Sequence, residues 1–455
     1  MLIYVAEKAV KTRRPFPTVT ALLAAVAPLT EYLTAAALPW RVVGGAVRDV
    51  LLGRPVHDID IEVVVADLPT LEHALAHVVP GGAVGGDHPA VRWRQGALAI
   101  DVSVAAHADL RHAAAARDLT INAIALLPDG TIVDPTGGVA DCQAGVLRVL
   151  DGAFAADPLR VLRAMRLAAQ LDFTPTAATC AAAQAVVARA ASIAPARIWH
   201  EWRLWALAPF PQRGLTLLYD SGWLAIYPML AALVGCAQDP IHHPEGDAWV
   251  HTLYVCAGMA ERRAQLDDEA VIITALAALC HDLGKPSTSV VEGDRITCHG
   301  HAAAGDAPTR AFLMAIGAPE RFAAPVTALV REHMAANDGA PSPRSVRRLA
   351  ARLAPAELQW WARLVGADSS GRPPLPRAEP GAPFLAVAEA LGAATAPVPA
   401  LLRGEDVIAS GVPAGPRIKT ILQAAYEAQL DGVYDSPAGA RAWLALHLGT
   451  AGGEQ

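Results

Sequence analysis

Residues Arg41 to Val65 read RVVGGAVRDVLLGRPVHDIDIEVVV. A short run, Arg41 to Val43, meets Gly44-Gly45 and passes at once into AVRDVLLG, whose apolar residues recur three and four apart. That order predicts a strand, a tight turn and a helix. Glycine at the turn lets backbone N–H groups approach a phosphate closely. The next segment, Asp58 to Val65, is β-branched, and its Asp58 and Asp60 are two apart, so both carboxylates project from one face of a strand. Carboxylates so placed repel. In a purely structural role one is protonated or paired, at about 1.4 kcal/mol per pKa unit, whereas a divalent cation removes the conflict. Mg²⁺ takes oxygen ligands and completes its shell with substrate phosphates. A two-metal site, its ions roughly 4 Å apart, stabilises the attacking and leaving oxygens of an in-line displacement. A glycine pair alone is common, and a lone D-x-D is as readily a solvated strand end or a calcium loop. Together in one strand-helix-strand unit they are far more specific.

The pattern GGAVRD, LLG, DID resembles the GG-x-VRD, LG, D-x-D signature of the class II tRNA nucleotidyltransferase and poly(A) polymerase family. The resemblance implies a polymerase-β-like head with Mg²⁺ on Asp58 and Asp60, and with Gly44, Gly45 and Arg48 holding phosphates and sugar. Asp101, in the alternating stretch ALAIDVSVA, is either a third acidic member of that site or an edge residue facing water. Relatives usually carry arginines after this strand, and AAHADLRHAAAA is poor in them. The stretch ARDLTINAIALLPDGTIVDPTGGVAD is similar to the family's RRD-x-T-INA-x-A and DP-x-GG elements; Arg117, Asp118 and Asn122 match, and Ala116 replaces the first arginine. Asp118 and Asn122, four apart, line one face of a helical turn.

In DPLRVLRAMRLAAQL, Asp157 is a good N-cap and Pro158 stands at the first helical position. Asp157 with Arg160 is either a structural ion pair or, as the family's ED-x-x-R element implies, the template that reads the edge of incoming CTP or ATP. Such groups discriminate because a wrong base leaves them unpaired. Arg163 and Arg166 follow on adjacent turns, within reach of phosphates or RNA. PARIWHEWRLWALAPFP keeps Arg197 and Glu201 of an ER-x-x-x-E helix, with Ala196 where glutamate is usual; Trp199, Trp202 and Trp205 are read as core rather than as base-stacking platforms.

From Ile241 the character changes. The runs HHPEGDAWVHTLYV, AALAALCHDLGKP, CHGHAAAG, REHM and GADSSGR place His251, His281-Asp282, His299, His301, His333 and Asp368 at helix or helix-end positions. Imidazole and carboxylate ligands gathered from separate helices bind one or two divalent ions and activate water for phosphoester hydrolysis. This resembles the HD phosphohydrolase superfamily. It implies a site of His251, His281, Asp282 and Asp368, with His299, His301 and His333 as further candidates, and imidazole-rich donors suit Ni²⁺, Mn²⁺ or Co²⁺.

Composition sets limits. The 455 residues, 53% hydrophobic and 18% charged, supply cores for about three domains. A net charge of −7 excludes a generally basic nucleic-acid binder, so RNA contact rests on local patches such as Arg344, Arg347 and Arg348 with Arg417 and Lys419, equally readable as a solvated face. Six cysteines without a C-x-x-C favour a reducing compartment and no zinc ribbon. KTRRPFP followed by TVTALLAAVAPLT superficially resembles a twin-arginine export signal. The run contains Pro28, is too short to span a bilayer and leads through Glu31 into the first strand, so an added cytoplasmic helix, Thr18 to Ala37, is the better reading.

The expected architecture is α+β: a helical extension (1–40), a nucleotidyltransferase head with a mixed sheet (41–155), then an all-helical neck carrying the nucleotide-selecting helix (156–238), HD domain (239–375) and C-terminal region (376–455). The expected activity is addition of C, C and A to the tRNA 3′ end from CTP and ATP, with a separate phosphatase or 2′,3′-cyclic phosphodiesterase site, in a cytoplasmic monomer or homodimer with no membrane contact. The alternatives are a poly(A) polymerase or a CC- or A-only enzyme of the same family, and a metal-dependent phosphohydrolase with a degenerate head.

Overall fold

Strands β1 (Trp40–Val43) and β2 (Asp58–Val63) pair antiparallel, with Val43 opposite Asp60 and Arg41 opposite Glu62. The structure, a computed structural model, describes residues 18–56, 58–76, 83–84, 90–95, 98–293 and 295–451. The KTRRPFP run lies outside them.

The chain divides into two compact units: Met1–Ile193 with Asp220–Trp223, and Ala194–Tyr219 with Leu224–Gln455. The segment expected as one neck, 156–238, is shared between them. In the first unit β3 (Ala83–Val84), β4 (Ala90–Gln95), β5 (Leu98–Val104), β6 (Ala125–Leu126) and β7 (Ile132–Val133) complete a mixed sheet of order β3-β4-β5-β2-β1-β6-β7. β5 runs parallel to β2 and sets Asp101 beside Asp60. Alternation along β2 buries Ile59 and Ile61 and leaves Asp58 and Asp60 on the open face. The helix Val19–Ala35, capped by Thr18 Oγ1 on the Ala21 N–H (3.2 Å), buries Leu22, Val26, Leu29 and Leu33, a helical stripe. Asp157 sits in extended backbone and its carboxylate accepts from the Leu159 N–H (3.0 Å), which starts the helix Leu159–Leu171.

In the second unit the helix Asp268–Cys280 is apolar on every side and almost wholly buried, which makes it the central element. Ala248–Glu261, Glu320–Glu332 and Leu358–Ser370 pack on it. Trp202 and Trp205, on the helix Pro195–Ala206, have no exposed surface. Their indole N–H groups donate to Tyr227 Oη (2.8 Å) and to the Pro211 carbonyl (2.9 Å), while Trp199 leans on Phe322. Trp202 and Trp205 are thus core, as expected, whereas Trp199 is only half-buried. Three arginines of the expected strip are tied to the chain on an exposed surface: Arg344 and Arg348 pair with Asp431, and Arg347 donates to the Leu430 carbonyl at 2.9 Å, while Arg417 and Lys419 are exposed. Among the described residues no helix is long and apolar enough to cross a membrane.

Candidate functional site

In the head, the glycine turn, β2 and the segment after β5 converge. Gly44 has φ +73° and ψ −141° and opens the helix Gly45–Leu51. A Cβ on Gly44 would stand 3.2 Å from Asp60 Oδ2 and 3.9 Å from Arg117 Nη1, so the turn, the acidic strand and the arginine meet at one point. Asp58 and Asp60 accept no hydrogen bond and form no ion pair among the described residues. Asp60 is hemmed in by neighbouring atoms, and this loss of hydration raises its carboxyl above the ordinary aspartate value; Arg117 pulls it back, and Asp101 and Asp58 push it up again. An uncommitted pair of like charges, one of them already destabilised, fits a divalent cation. Asp101 is neither at an edge nor uncommitted. Its strand is internal, and Arg92 across β4 grips it through Nε (2.7 Å) and Nη2 (2.6 Å).

The remaining expected residues form a lattice behind this point. Arg48 is buried and spends its donors on Asp49 (2.9 Å) and Asn122 (2.7 Å), so it braces the turn instead of facing a phosphate. Asn122 donates to Asp118 (3.0 Å), which also takes Arg163 Nε (2.5 Å). Burial alone would raise the Asp118 carboxyl, but Arg163, Asn122 and the Leu119 N–H hold it below the usual range. Arg160 reaches the carbonyls of Arg117 (3.3 Å) and Ala116 (3.4 Å), and Arg166 contacts Gln170. The helix Leu159–Leu171 is therefore lashed to the strip carrying Arg117 and Asp118. Sequence reasoning missed Glu62, which bonds both Arg41 and Arg117; its only signal was that it continues the period-two spacing of Asp58 and Asp60.

In the second unit His251, His281, Asp282, His301 and His333 are all buried, and Asp368 lines the same space. His251 Nε2 lies 3.0 Å from Asp368 and 3.9 Å from Asp282; His281 Nε2 lies 3.1 Å from Asp282. His301 Nε2 is 3.5 Å from the other Asp282 oxygen and 3.1 Å from His333 Nε2. The Nδ1 atoms of His281, His301 and His333 face the carbonyls of Ala278 (2.9 Å), Cys298 (2.8 Å) and Val330 (2.7 Å). A carbonyl can only accept, so Nδ1 carries the proton and the Nε2 lone pair points inward. His281 Nε2 is buried without a hydrogen-bond partner, whereas the Asp282 oxygen beside it is ion-paired with Lys285. Lone pairs and carboxylates converging on one buried centre fit a divalent ion, and the grouping of His251, His281 and Asp282 beside Asp282, His301 and His333 has ligands for two.

Burial would drive His251 towards neutrality, but Asp368 and Glu245 hold it up at about 9, whereas burial together with His281 and His301 pushes His333 down to about 4. Burial likewise opposes ionisation of Asp282, which the neighbouring His281 ring and the Lys285 ammonium keep well below the usual range. Lys285 Nζ stands 2.7 Å from Asp282. The cluster floors a cleft of about 720 Å³. His299 is exposed on its wall and stays outside the ligand group, which corrects its candidacy. Glu245, His243 and Lys285 were missed, although HHPEG and HDLGK both announce polar residues beside an apolar helix. Gly284 has a steric reason: a Cβ there would strike the His301 carbonyl.

The Poly A polymerase head domain family matches residues 40–102 and 91–148. The multifunctional CCA protein of Halorhodospira halophila is 36% identical over 313 residues, 65% of this chain and 73% of its own. The Bacillus stearothermophilus CCA-adding enzyme in complex with CTP superposes with a TM-score of 0.63 at 24% identity, over 95% of this chain and 98% of that one. The Thermotoga maritima CCA-adding enzyme complexed with tRNA gives 0.59 at 19% identity, with the same coverage. At these identities the structural likeness is one of fold.

Proposed function

Because the chain belongs to the family of multifunctional CCA proteins, we propose that this nucleotidyltransferase adds C, C and A to the 3′ end of tRNA from CTP and ATP, and that its second unit hydrolyses small phosphate esters. The observation that carries the first part is the meeting of Gly44, Asp60 and Arg117 at one point. Asp58 and Asp60 would hold Mg²⁺, which when bound acidifies the 3′-hydroxyl and neutralises departing pyrophosphate. The backbone of the glycine turn admits the triphosphate at a helix start, where N–H groups point outward. Arg117, partly exposed beside that turn, balances phosphate charge. Asp157 and Arg160 present an acceptor and a donor for the base, and the buried network of Arg48, Asn122, Asp118 and Arg163 keeps the strip that carries Arg117 in register.

In the second unit His251, His281, Asp282 and Asp368, with His301 and His333, would hold Ni²⁺, Mn²⁺ or Co²⁺, which supplies a water acidic enough to attack a phosphoester. The unpartnered His281 Nε2 and the close grouping of His251, His281, Asp282, His301 and His333 support that reading. Both activities belong in the cytoplasm, where tRNA and nucleotides are found.

Incubating the protein with tRNA lacking its last three nucleotides, plus CTP, ATP or both, tests the first part. Ordered C, C, A addition is expected. Long A tails would mark a poly(A) polymerase, and hydrolysis without any addition would leave the phosphohydrolase with a degenerate head.

A further inference from the structure

We propose that Glu62 is a positioning residue for nucleotidyl transfer, holding the Arg117 guanidinium at the mouth of the glycine turn. The inference rests on the head acting as a nucleotidyltransferase. Glu62 follows Asp60 by two on β2 and so shares its face, yet it is 8% exposed where Asp58 and Asp60 are open. One of its carboxylate oxygens accepts Arg41 Nε at 2.8 Å, and the other receives Arg117. Arg41 is 4% exposed, lies opposite Glu62 in the β1–β2 register, and spends its other donors on the carbonyls of His107 (2.7 Å) and Ala108 (3.3 Å). With every arm committed, Arg41 cannot turn towards the cleft. It fixes Glu62 from behind, and Glu62 in turn aims Arg117.

The charge balance gives the arrangement its purpose. Two guanidinium groups around one carboxylate leave a net positive charge, and the only part of the trio with substantial solvent access is Arg117, at 31%. Asp60 Oδ2 and Arg117 Nη1 both lie within 4 Å of where a Cβ on Gly44 would stand. Untethered, Arg117 is free to swing onto Asp60, where it would neutralise a group needed for the cation and withdraw a donor from the triphosphate. Ala116 and the arginine-poor loop after β5 leave few cations to take its place.

A buried ion pair that merely stabilises the sheet would look similar, so the variants must separate the two. Removing Glu62 alone strands Arg41 as a buried unpaired charge and endangers folding. The paired replacement Arg41→Met with Glu62→Leu removes both partners and preserves an apolar interior. Melting curves, calorimetric titration with CTP, and addition kinetics on tRNA are read together for the wild type, Glu62→Gln, Arg117→Ala, the paired replacement and Glu62→Gln/Arg117→Ala. We expect the paired variant to melt near the wild type, bind CTP roughly 10- to 100-fold more weakly and lose kcat/KM by a similar factor. Glu62→Gln, which keeps an acceptor for Arg117, should lose less, and should lose nothing further once Arg117 is alanine. A folded paired variant with wild-type CTP affinity, or independent losses in the Glu62→Gln/Arg117→Ala variant, would overturn the proposal. A wild-type protein that binds CTP but adds nothing to tRNA would sink the reading of CCA addition, while the CTP titrations still decide the role of Glu62.

Discussion

Replacing Gly44 with alanine separates backbone strain from site geometry. At φ +73° and ψ −141° an L-residue is in a region almost confined to glycine, at a cost of about 1–3 kcal/mol. For a unit of this size that lowers the melting midpoint by roughly 2 to 12 °C. The new Cβ also falls 3.2 Å from Asp60 Oδ2, tight enough that the carboxylate or the turn must yield by a few tenths of an ångström. Misplacing a reacting group by about 1 Å costs up to about 100-fold in rate, so a shift of a few tenths of that should lower nucleotide addition roughly 3- to 10-fold. Gly137→Ala is the control, since Gly137 also has positive φ (+80°) but has nothing within 4 Å of an added Cβ. Its melting midpoint should fall while its addition rate per folded molecule stays at wild type. Both variants are followed by thermal melting and by steady-state CTP incorporation into tRNA lacking its end. Gly44→Ala that melts early but incorporates CTP normally would refute the claim that the turn and Asp60 work as one site.

Asp58→Ala or Asp60→Ala should abolish addition in a protein that still folds, because removing one of two repelling carboxylates offsets lost contacts; more than about a hundredth of the wild-type rate would argue against metal ligation. Asp157→Asn retains an oxygen to cap the Leu159 N–H, so it should fold normally yet discriminate less against UTP and GTP; unchanged selectivity in primer-extension competition would make Asp157 structural. His281→Ala or Asp282→Ala should remove hydrolysis of 2′,3′-cyclic AMP or a phosphomonoester while addition persists, and loss of hydrolysis in an Asp60 variant would defeat the separation of the sites. Hydrogen bonds from Arg348 and Arg344 hold Asp431 down at about 2, below its unfolded value. Its contribution is therefore intact above the ordinary aspartate range and lost as pH falls towards 2. Hydrogen exchange in the helix Pro416–Leu430 should accelerate across that window, and the same acid response in Asp431→Asn would refute the assignment.

Local pattern carried much of this structure. The glycine pair after a short strand gave the turn, spacing by two gave the exposed Asp58 and Asp60, and the Asp157-Pro158 pair gave a helix start, because each depends on backbone geometry within a few residues. The histidines of the second unit were legible as a group because imidazoles at the ends of apolar helices have few other uses. What stayed hidden depended on partners far along the chain. Arg48 reads as a phosphate ligand until Asn122 is seen to absorb it, Asp101 reads equally as a third acid or an edge residue until β4 brings Arg92 across, and Arg344 and Arg348 read equally as an RNA strip or a solvated face until Asp431 is seen to pair with them. A sequence gives the charge of such a side chain but not whether another has already satisfied it.

The histidines of the second unit also bear on how such a site tolerates mutational drift. His281 and His333 each follow directly on a helix, after Cys280 and after Glu332, and each ring donates to a carbonyl of the last turn. Those carbonyls lack helical partners, so the bond that closes the helix end also fixes which ring nitrogen is left for an ion. Many metal sites orient their imidazoles with a neighbouring carboxylate that mutation can remove. For these two rings the orienting group is main chain, and no substitution at another position deletes it. Their surroundings can change freely as long as the helices keep their length, whereas an insertion or deletion of one residue near either helix end would turn the ring away from the centre and be far more damaging than most substitutions nearby.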